Sequence, residues 1–464
     1  MSKTKPARGM RDFLPDDVRK REYVIGVIKE VYERYGFEPL ETPAAENIET
    51  LMGKYGEEGN QLIFKILKRG VHESTGEADL ALRYDLTVPL ARVVAEYRDK
   101  LPKFFKRYQI QPVWRADRPA RGRFREFYQC DVDVVGSRSM VVEAELIAAA
   151  SGALEKLGFH DFCVRLNHRE ALTGLLGCAG VPLELHEAAL VALDKLDKVG
   201  REGVAKELTE RGVRESVGKR LLDFFTDLAS LEHAADLAVG HDLSARQQGL
   251  NSAVLGRLVE FVGANEKGAK GVDELQAILK YAAANNLAER IKIDPSLARG
   301  LSYYTGAIIE INVKDLAGSL GGGGRYDNLI GMFTSQEVPA CGFSLGLERI
   351  IVVMSERGMF PPSLMSTPAD VMVTIWNEES IAESIGLARE LRSAALRVDV
   401  YPEADKVARQ FKYASERGIP FVIVLGDEER ARGEIAIKNM KTGEQRSISR
   451  EAAPGVLQDS LKAL

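Results

Sequence analysis

The stretch WRADRPARGRFREFYQCDVD, residues 114–133, carries most of the information about the fold of this chain. It predicts an extended run, an arginine-rich loop that contains proline and glycine, and a second extended run. Because side chains alternate between the two faces of a strand, the second run places every second residue on one face. These residues are Arg123, Arg125, Phe127, Gln129, Asp131 and Asp133.

This face does not have the apolar character of an ordinary half-buried strand. Along the strand it presents two arginines, an aromatic ring, an amide and two carboxylates, in that order. Such a row suits a ligand with a polyanionic end, a flat ring and a cationic end. A nucleotide lying beside an amino acid fits this description.

Composition places the chain among globular proteins of two or three domains. It has 464 residues, of which 45% are hydrophobic and 28% are charged. No apolar run follows Met1 and no stretch of about 18 apolar residues occurs, so we expect neither a signal peptide nor a membrane span. The four cysteines form no CxxC pair, which argues against a zinc site or disulfide framework and predicts a cytoplasmic location.

Charge is distributed unevenly along the sequence. The net charge is −5, but residues 102–138 hold nine Lys/Arg against four Asp/Glu, a local balance of +5. Such an excess favours phosphate ligands, although many basic patches are only solvated surface.

Periodicity in the first 167 residues predicts a mixture of helices and strands. Apolar residues at helical spacing run from Asp16 to Tyr35, and Gly36 follows as a typical helix end. Segment 38–43 is extended and contains prolines, which favour a sheet edge. The other expected elements are strands over 62–68, 80–84 and 104–114 and helices over 85–98 and 139–157.

Residues 168–290 have a different character. They are rich in Leu, Ala, Glu and Lys, contain one proline and hold no chemical motif, so we interpret them as a helical insertion for packing or recognition. A strand is expected again over 299–313. The polar, glycine-rich segment 318–324 leads into Arg325-Tyr326-Asp327. Its four glycines, 321–324, are compatible with a simple flexible loop, and they are not a P-loop because no Lys-Ser/Thr follows them.

Three prolines within 361–368 predict a linker. Beyond it, strands alternate with helices from 371 to 425, which predicts a compact α/β domain over 369–464. The resulting division is a first core segment (1–167), a helical insertion (168–290), a second core segment (291–360), the linker (361–368) and the C-terminal domain (369–464).

The arginine-rich loop allows two interpretations. Arg115 and Arg123 flank it and can approach one phosphate group, since arginine presents a planar fork of donors that stays charged. Phe127 lies further along the same face and can stack under a base. The alternative is a surface hairpin with Phe127 in the core.

Other candidates have an ordinary structural interpretation as well. Asp85 lies where a strand yields to a helix and is by default a helix cap. Glu348 beside Arg349 is by default a structural ion pair at a helix start. The segment 299–306 offers an arginine and two tyrosines for a small polar substrate, or only an edge strand with aromatic packing.

These segments resemble the signature motifs of the class II aminoacyl-tRNA synthetases. The helix at 17–35 with its extension to Pro43 is similar to motif 1, residues 115–129 to motif 2, and residues 342–349 to motif 3. The resemblance extends over nearly the whole chain. Two further segments are similar to those of the histidyl-tRNA synthetases: Arg299-Gly300-Leu301-Ser302-Tyr303-Tyr304 and Gly323-Gly324-Arg325-Tyr326-Asp327.

This resemblance implies a fold and an activity. The fold would be an α+β catalytic core, an antiparallel sheet flanked by helices, with a helical insertion and an anticodon-binding α/β domain at the C-terminus. The chain would form a homodimer and would use ATP and Mg²⁺ to convert L-histidine to histidyl-adenylate. It would then transfer the histidine to the 3′ end of tRNA(His).

The resemblance also implies the residues that hold ATP. Arg115 would bind the α-phosphate, and Arg123 and Arg349 the γ-phosphate. Phe127 would stack on adenine, and Asp117 would contact the edge of the base. Arg115 would be one of two catalytic cations.

Histidine would be held by a second set of residues. Asp85, Thr87 and Gln129 would bind its amino end, and Arg299, the second catalytic cation, its carboxylate. Asp133 and Tyr304 would bind the imidazole, with Tyr303 in the same set. Ser302 replaces the usual Asp of the family, and Asp117 and Asp133 replace the Glu of many members.

Two other functions remain open at this point. A non-catalytic relative that senses histidine or tRNA should lack the C-terminal domain or the phosphate-binding arginines, and all four are present: Arg115, Arg123, Arg299 and Arg349. An adenylate-forming ligase that uses no tRNA is the second alternative, and the C-terminal domain argues against it by analogy alone.

Overall fold

A computed structural model describes residues 4–70, 75–237, 243–263, 265–298, 303–334, 336–365 and 367–462. It divides into two compact units, Met1–Phe360 and Pro361–Leu464. The finer division of the first unit into core segments and an insertion stays a prediction.

The first unit contains eleven strands among its described residues. They are β1 (Glu38–Pro39), β2 (Ala45–Asn47), β3 (Lys65–Leu67), β4 (Ala78–Leu82), β5 (Phe105–Trp114), β6 (Glu126–Val135), β7 (Cys163–His168), β8 (Ile291–Ile293), β9 (Ala307–Asn312), β10 (Ser319–Arg325) and β11 (Ala340–Gly346).

Twelve α-helices accompany these strands in the described part of the unit. They are α1 (Pro15–Arg34), α2 (Ile48–Leu51), α3 (Gly56–Gln61), α4 (Thr87–Glu96), α5 (Val141–Lys156), α6 (Arg169–Ala179), α7 (His186–Leu193), α8 (Leu196–Glu210), α9 (Glu215–Leu237), α10 (Leu243–Val262), α11 (Glu266–Ala283) and α12 (Leu347–Glu356).

An eight-stranded sheet forms the centre of this unit, in the order β1-β5-β6-β11-β10-β9-β7-β8. Its five internal pairings, from β5 to β7, are antiparallel, and only the two edge pairings are parallel. The predicted α+β class with an antiparallel sheet is therefore confirmed. Pro39 lies on the edge strand β1, as a residue that cannot donate a backbone hydrogen bond requires.

The two faces of the sheet differ in polarity. On β6 the side chains of Cys130, Val132 and Val134 enter the large apolar core together with α1 and α5. The alternate residues Gln129, Asp131 and Asp133 point to the opposite face. One strand thus supplies part of the core and part of a polar surface.

Helix α1 follows the rules for helix ends. Pro15 occupies its first turn beside Asp16 and Asp17, where a fixed φ and negative charge are favoured. Gly36 follows its C-terminus with a φ of 75°, a conformation that glycine adopts without a Cβ penalty. The helix buries Val24, Ile28 and Val31, so the expected helical face is the one that packs on the sheet.

Two strand predictions need correction. The glycines 321–324 are not a flexible loop but lie in β10, between β9 and β11. At Gly323 a Cβ atom would lie 2.2 Å from the carbonyl oxygen of Gly342, so close strand packing explains glycine there. The strand expected over 299–313 begins only at Ala307; residues 299–302 lie outside the described residues.

The helical segment predicted over 168–290 is observed as α6 to α11. It leaves the central sheet at β7 and returns to it at β8, so its two ends lie on neighbouring strands. Helices α6 and α11 pack against each other, and α11 also packs against α5. Leu172 and Leu275 of these helices belong to the same apolar core as β6.

The second unit is an α/β domain with its own apolar cores on the two faces of its sheet. Its five strands have the order β13-β12-β14-β15-β16, with the first three parallel and the last two antiparallel. The strands are β12 (Val371–Val373), β13 (Val398–Val400), β14 (Phe421–Val424), β15 (Glu434–Asn439) and β16 (Gln445–Ser449). The helices are α13 (Ile381–Ser393), α14 (Val407–Glu416), α15 (Asp427–Arg432) and α16 (Ala453–Lys462).

The alternation predicted for 371–425 is thus observed, and the β15–β16 hairpin is an addition to it. Within the described residues, no helix combines the length and the apolar character needed to cross a bilayer.

Candidate active site

A pocket opens on the polar face of the central sheet. Strands β6, β9, β10 and β11 form its floor, and the segment that enters α4, the 115–125 loop and the start of α12 form its walls. All the predicted site residues except one line it: Asp85, Thr87, Arg115, Asp117, Arg123, Phe127, Gln129, Asp133, Tyr303, Tyr304 and Arg349. The exception, Arg299, lies outside the described residues.

Three arginines lie at one end of the pocket. Arg115 donates from Nε to the carbonyl oxygen of Tyr84 at 3.0 Å, which fixes the stem of its side chain. Arg123 is 55% exposed and forms an ion pair with Asp117 at 2.9 Å. Arg349 donates to the carbonyl oxygen of Ser319 at 2.6 Å.

The 115–125 loop brings two of these arginines together. Gly122 at its tip has a φ of 68°, and a Cβ there would lie 3.2 Å from Cγ of Arg349. The loop tip therefore rests against the first turn of α12. Arg123 and Arg349, which lie far apart in sequence, meet in the same wall of the pocket.

The predicted face of the second extended run needs one correction. Phe127, Gln129, Asp131 and Asp133 do line the pocket, and Arg123 reaches it from the loop, but Arg125 is not among the lining residues. The strand starts only at Glu126, so the loop backbone does not alternate as a strand would. Arg125 instead donates from Nε to the carbonyl oxygen of Asp117.

Phe127 is half-buried in the wall of the pocket rather than enclosed in the core. The guanidinium carbon of Arg115 lies 5.3 Å from the centre of its ring, and 4.3 Å from that of Tyr84. An aromatic ring open on one side beside a cation can stack a flat ligand.

Buried carboxylates occupy the other end. Asp133 is 2% exposed, lies 2.9 Å from Nη2 of Arg107 and accepts a hydrogen bond from the Tyr326 hydroxyl. Its partner is therefore not Arg125, which the sequence offered as the ordinary alternative. Burial raises the pKa of the Asp133 carboxyl, and the Arg107 guanidinium opposes that rise.

Gly342 of β11 makes room for Asp133. The two residues are directly paired across the strands, and a Cβ at position 342 would lie 1.8 Å from Oδ1 of Asp133. The carboxylate therefore lies over the glycine, and any larger residue would displace it.

Asp131 is a second carboxylate on the same face, two residues before Asp133. Burial and the negative charge of Asp133 raise its pKa to about 7, although Arg107 acts in the opposite direction. Gln129, next along the strand, donates from Nε2 to Oγ of Ser344 at 3.0 Å. Its amide oxygen is buried and accepts no hydrogen bond from the described residues.

Asp85 both caps a helix and lines the pocket. Its Oδ1 accepts at 3.0 Å from the backbone N–H of Val88 in the first turn of α4, so Asp85 caps the helix from the position before the N-cap residue Leu86. The hydroxyl groups of Tyr55 and Tyr303 donate to it at 2.9 and 3.2 Å. Burial raises the pKa of Asp85, and these hydrogen bonds favour its ionised form.

The two tyrosines of the predicted histidine segment pack edge to face, with ring centres 5.3 Å apart. Burial raises the pKa of both phenols, so each hydroxyl keeps its proton at neutral pH. A protonated phenol can donate one hydrogen bond and accept another.

Glu348 forms a structural ion pair, but with a different partner from its neighbour Arg349. Arg21 of α1 donates to it at 2.9 Å, and the backbone N–H of Tyr128 donates to its other oxygen at 2.9 Å. This buried carboxylate is therefore fully engaged in joining α1, β6 and α12.

Sequence reasoning missed several residues of the site. Arg107 and Tyr326, the partners of Asp133, come from β5 and from the residue after β10, so no local pattern connects them with it. Tyr55 is similar. Asp131 was visible on the predicted face, and its period-two position was a usable signal.

The described residues do not form a metal site from protein ligands alone. They contain no group of three or more His, Cys, Asp or Glu side chains arranged to hold a metal ion. Mg²⁺ that arrives with a nucleotide needs only one or two carboxylates in addition to the phosphates. Glu310 of β9 is one buried carboxylate that lines the pocket, and it also lies 3.6 Å from the guanidinium of Arg165.

Known proteins and protein families match this chain over nearly its whole length. The family model for histidyl-tRNA synthetase matches residues 9–350, and the model for an anticodon binding domain matches residues 370–460. A histidine–tRNA ligase of Flavobacterium johnsoniae is 39% identical over 97% of this chain and 98% of its own length. One from Bacteroides fragilis (strain YCH46) is 40% identical over 97% of this chain and 98% of its own.

Solved structures agree. The crystal structure of a histidyl-tRNA synthetase from Nostoc superposes with a TM-score of 0.77 at 29% identity, covering 99% of this chain and 100% of the other. A Staphylococcus aureus enzyme of that name, 20% identical with a TM-score of 0.67 over 98% of this chain and 100% of its own, shares the fold. The resemblance of the sequence motifs is confirmed: this chain belongs to the histidyl-tRNA synthetase family.

Proposed function

We propose that this chain is a ligase that activates L-histidine with ATP and transfers it to the 3′ end of tRNA(His). The observation that carries the proposal is the separation of charge within one pocket. Arg115, Arg123 and Arg349 line one end, while the buried carboxylates of Asp85, Asp131 and Asp133 line the other. A polyphosphate and an amino acid with a cationic end fit such a pocket side by side.

The ATP roles follow from the arginine end. We assign the α-phosphate to Arg115, whose stem is held against Tyr84, and the γ-phosphate to Arg123 and Arg349, which meet at the loop tip. Adenine stacks on Phe127. Asp117, paired with Arg123, contacts the edge of the base.

The histidine roles follow from the carboxylate end. The amino group binds Asp85, Thr87 and the free amide oxygen of Gln129. The imidazole donates to Asp133 and meets the Tyr304 hydroxyl at its other nitrogen, while Tyr303 orients Asp85. Arg299 is assigned to the histidine carboxylate on the family resemblance alone.

The chemistry needs no protein nucleophile. An oxygen of the histidine carboxylate attacks the α-phosphorus in line, and pyrophosphate leaves. The protein positions the two substrates and supplies Arg115 and Arg299 as cations at the charge that develops on the phosphate. Glu310 would hold Mg²⁺ together with the phosphates of ATP, and the ion would supply positive charge at the pyrophosphate.

ATP–pyrophosphate exchange with each of the twenty amino acids, with and without tRNA, tests this assignment. We expect exchange with histidine alone, independent of tRNA, and charging of tRNA(His) when tRNA is added. Absence of exchange with retained histidine binding would favour the non-catalytic alternative. Exchange without any tRNA charging would favour the adenylate-forming ligase.

The second unit is proposed to bind the anticodon, because the anticodon-binding family model covers residues 370–460. The pocket lies entirely in the first unit, and the second has separate apolar cores. Removal of residues 369–464 should therefore preserve histidine-dependent exchange and lower tRNA charging. Unchanged charging at low tRNA concentration would contradict the anticodon role.

A homodimer is proposed from the motif 1 resemblance, and a symmetric one is the commonest arrangement. Sedimentation equilibrium at low micromolar concentration should give twice the mass of one 51.1 kDa chain. A monomer that retains full exchange activity would contradict it. The cytoplasmic location likewise stays a prediction.

A further inference from the structure

Beside Asp133, the floor of the carboxylate end contains two further charged groups, Asp131 and Arg107. Arg107 of β5 is fully buried and does not line the pocket. Its Nη2 lies 2.9 Å from Oδ2 of Asp133 and 3.8 Å from Oδ2 of Asp131. One guanidinium thus faces two buried carboxylates, and both of these are exposed to the pocket rather than to the core.

Strand register creates this arrangement. Arg107 is the cross-strand partner of Asp133, and Gln109 that of Asp131, so all four side chains lie on the same face of the sheet. Asp133 is also held by Tyr326, whereas Asp131 faces Ser344 across β11. Besides these ion pairs, Nη2 of Arg107 donates a hydrogen bond to the carbonyl oxygen of Leu86 at 3.2 Å.

Several buried polar atoms of this group can accept or donate a further hydrogen bond. Among the described residues, Oδ1 of Asp131, Oδ2 of Asp133 and two nitrogens of Arg107 make no hydrogen bond of good geometry, although all are buried. Buried polar atoms of this kind are rare unless a ligand or water completes them. The two carboxylate atoms belong to residues that line the pocket, so a ligand with N–H donors can complete them.

We propose that Arg107 and Asp131 are positioning residues that set the charge of the amino acid pocket. Arg107 holds the Asp133 carboxylate in place. Asp131 neutralises the charge of the guanidinium, so that Asp133 still presents a net negative charge to the ligand. With Asp131 ionised the triad carries one excess negative charge, which a cationic or N–H-donating ring satisfies. The inference rests on the proposed function, because it explains how the histidine site recognises its ring.

Charge counting separates this role from simple packing. Asp131→Asn leaves Arg107 fully paired with Asp133, so the triad becomes neutral. Arg107→Met leaves two carboxylates without a cation, and one of them takes up a proton because like charges at this distance do not both ionise in a buried site. Arg107→Met and the double variant therefore each carry one negative charge, but only the double variant fixes it on Asp133, because in Arg107→Met the proton can occupy either carboxylate.

The test measures the histidine KM and ATP KM by pyrophosphate exchange, and the histidine Kd by calorimetry, for the four proteins. We expect Asp131→Asn to raise the histidine KM about tenfold and Arg107→Met about a hundredfold, the range of one charged hydrogen bond. The ATP KM should stay within about twofold. The double variant should bind histidine more tightly than either single variant.

A matched control is Glu46→Gln. Glu46 is also a buried carboxylate held by one arginine, with Arg92 at 2.8 and 2.9 Å, but it does not line the pocket. Its loss should lower the melting temperature and leave the histidine KM unchanged.

Three results would overturn the proposal: an unchanged histidine KM in Asp131→Asn, equal shifts for ATP and histidine, or no recovery in the double variant. If Arg107→Met does not fold, Asp131→Asn and Arg107→Lys decide, because the lysine keeps the charge and should retain most of the affinity. If the wild type shows no exchange, the proposed function fails, while the calorimetric comparison still tests the triad.

Discussion

The two ends of the pocket carry opposite charge and are built in opposite ways. The phosphate end is formed by a loop and by a helix start, and its Arg123 side chain is 55% exposed. The histidine end is formed on strands, and its Asp131 and Asp133 are each 2% exposed. An exposed arginine pays little desolvation, whereas a buried carboxylate requires partners.

This difference separates the consequences of mutation. At the phosphate end, removal of a side chain should affect the chemistry and leave the fold nearly intact. At the histidine end, the same side chains hold the strands together and bind the ligand, so stability and specificity should change together. The following predictions are arranged from the largest expected effect to the smallest.

Arg115→Ala tests the phosphate end. The loss of a charge-assisted donor at the developing charge should reduce histidine-dependent pyrophosphate exchange by about 10²–10³-fold. The fold should persist, because the side chain makes one described hydrogen bond, to Tyr84. Arg118→Ala is the control, since Arg118 is an exposed arginine of the same loop outside the pocket. Normal exchange by Arg115→Ala would refute the assignment.

Asp133→Asn tests the histidine end with a change of similar size. The neutral amide loses the charge that accepts an imidazole N–H, so the histidine KM should rise about a hundredfold with little change in the ATP KM. Stability should also fall, because Arg107 loses its closest counter-ion. A joint shift of both KM values, or no shift, would make Asp133 purely structural.

Gly342→Ala tests whether the floor positions Asp133. The added methyl group would lie 1.8 Å from Oδ1 of Asp133, so the carboxylate must move. We expect a loss of about 1–3 kcal/mol in the free energy of unfolding and a histidine KM about tenfold higher. Gly26→Ala is the control, because a Cβ at this exposed helical position contacts nothing within 4 Å. Unchanged stability and histidine KM would show that the site accommodates the methyl group without disturbing Asp133.

The same contrast explains what the sequence could and could not predict. Period-two alternation placed Phe127, Gln129, Asp131 and Asp133 on one face correctly, because β6 is a regular strand through all four. It failed for Arg125, which lies in the loop before the strand and whose side chain donates to the carbonyl oxygen of Asp117.

Long-range partners were not predictable in this way. Arg107 and Tyr326 approach Asp133 only because β5, β6, β11 and β10 are neighbours in the sheet, and a single sequence does not specify strand order. The glycines of 321–324 were misread as a loop for a related reason. What requires glycine there is the approach of neighbouring strands, which is a property of the sheet and not of the segment.

The smallest effect concerns stability as a function of pH. The pKa of Asp131 is raised to about 7 by burial and by Asp133, whereas in the unfolded chain it returns to the ordinary range near 3.8. Between these values the folded chain binds the proton more tightly, so this carboxyl group lowers stability progressively as pH rises from about 4 to about 7. Below that window the group is protonated in both the folded and the unfolded chain, and no stability is lost. Above it the group is ionised in both, and the loss is complete.

Asp131→Asn removes this group and its charge beside Asp133, and it leaves Asp85 and Asp133, whose own pKa values are raised by burial. The difference in unfolding free energy between variant and wild type should therefore shift in favour of the variant from pH 5 to pH 8. Urea unfolding at several pH values, without ligand, measures it. Bound histidine brings positive charge close to Asp131 and favours its ionised form. Saturating histidine should therefore reduce the shift. A difference that is independent of pH would show that Asp131 is ionised throughout, held by Arg107 more firmly than its burial suggests.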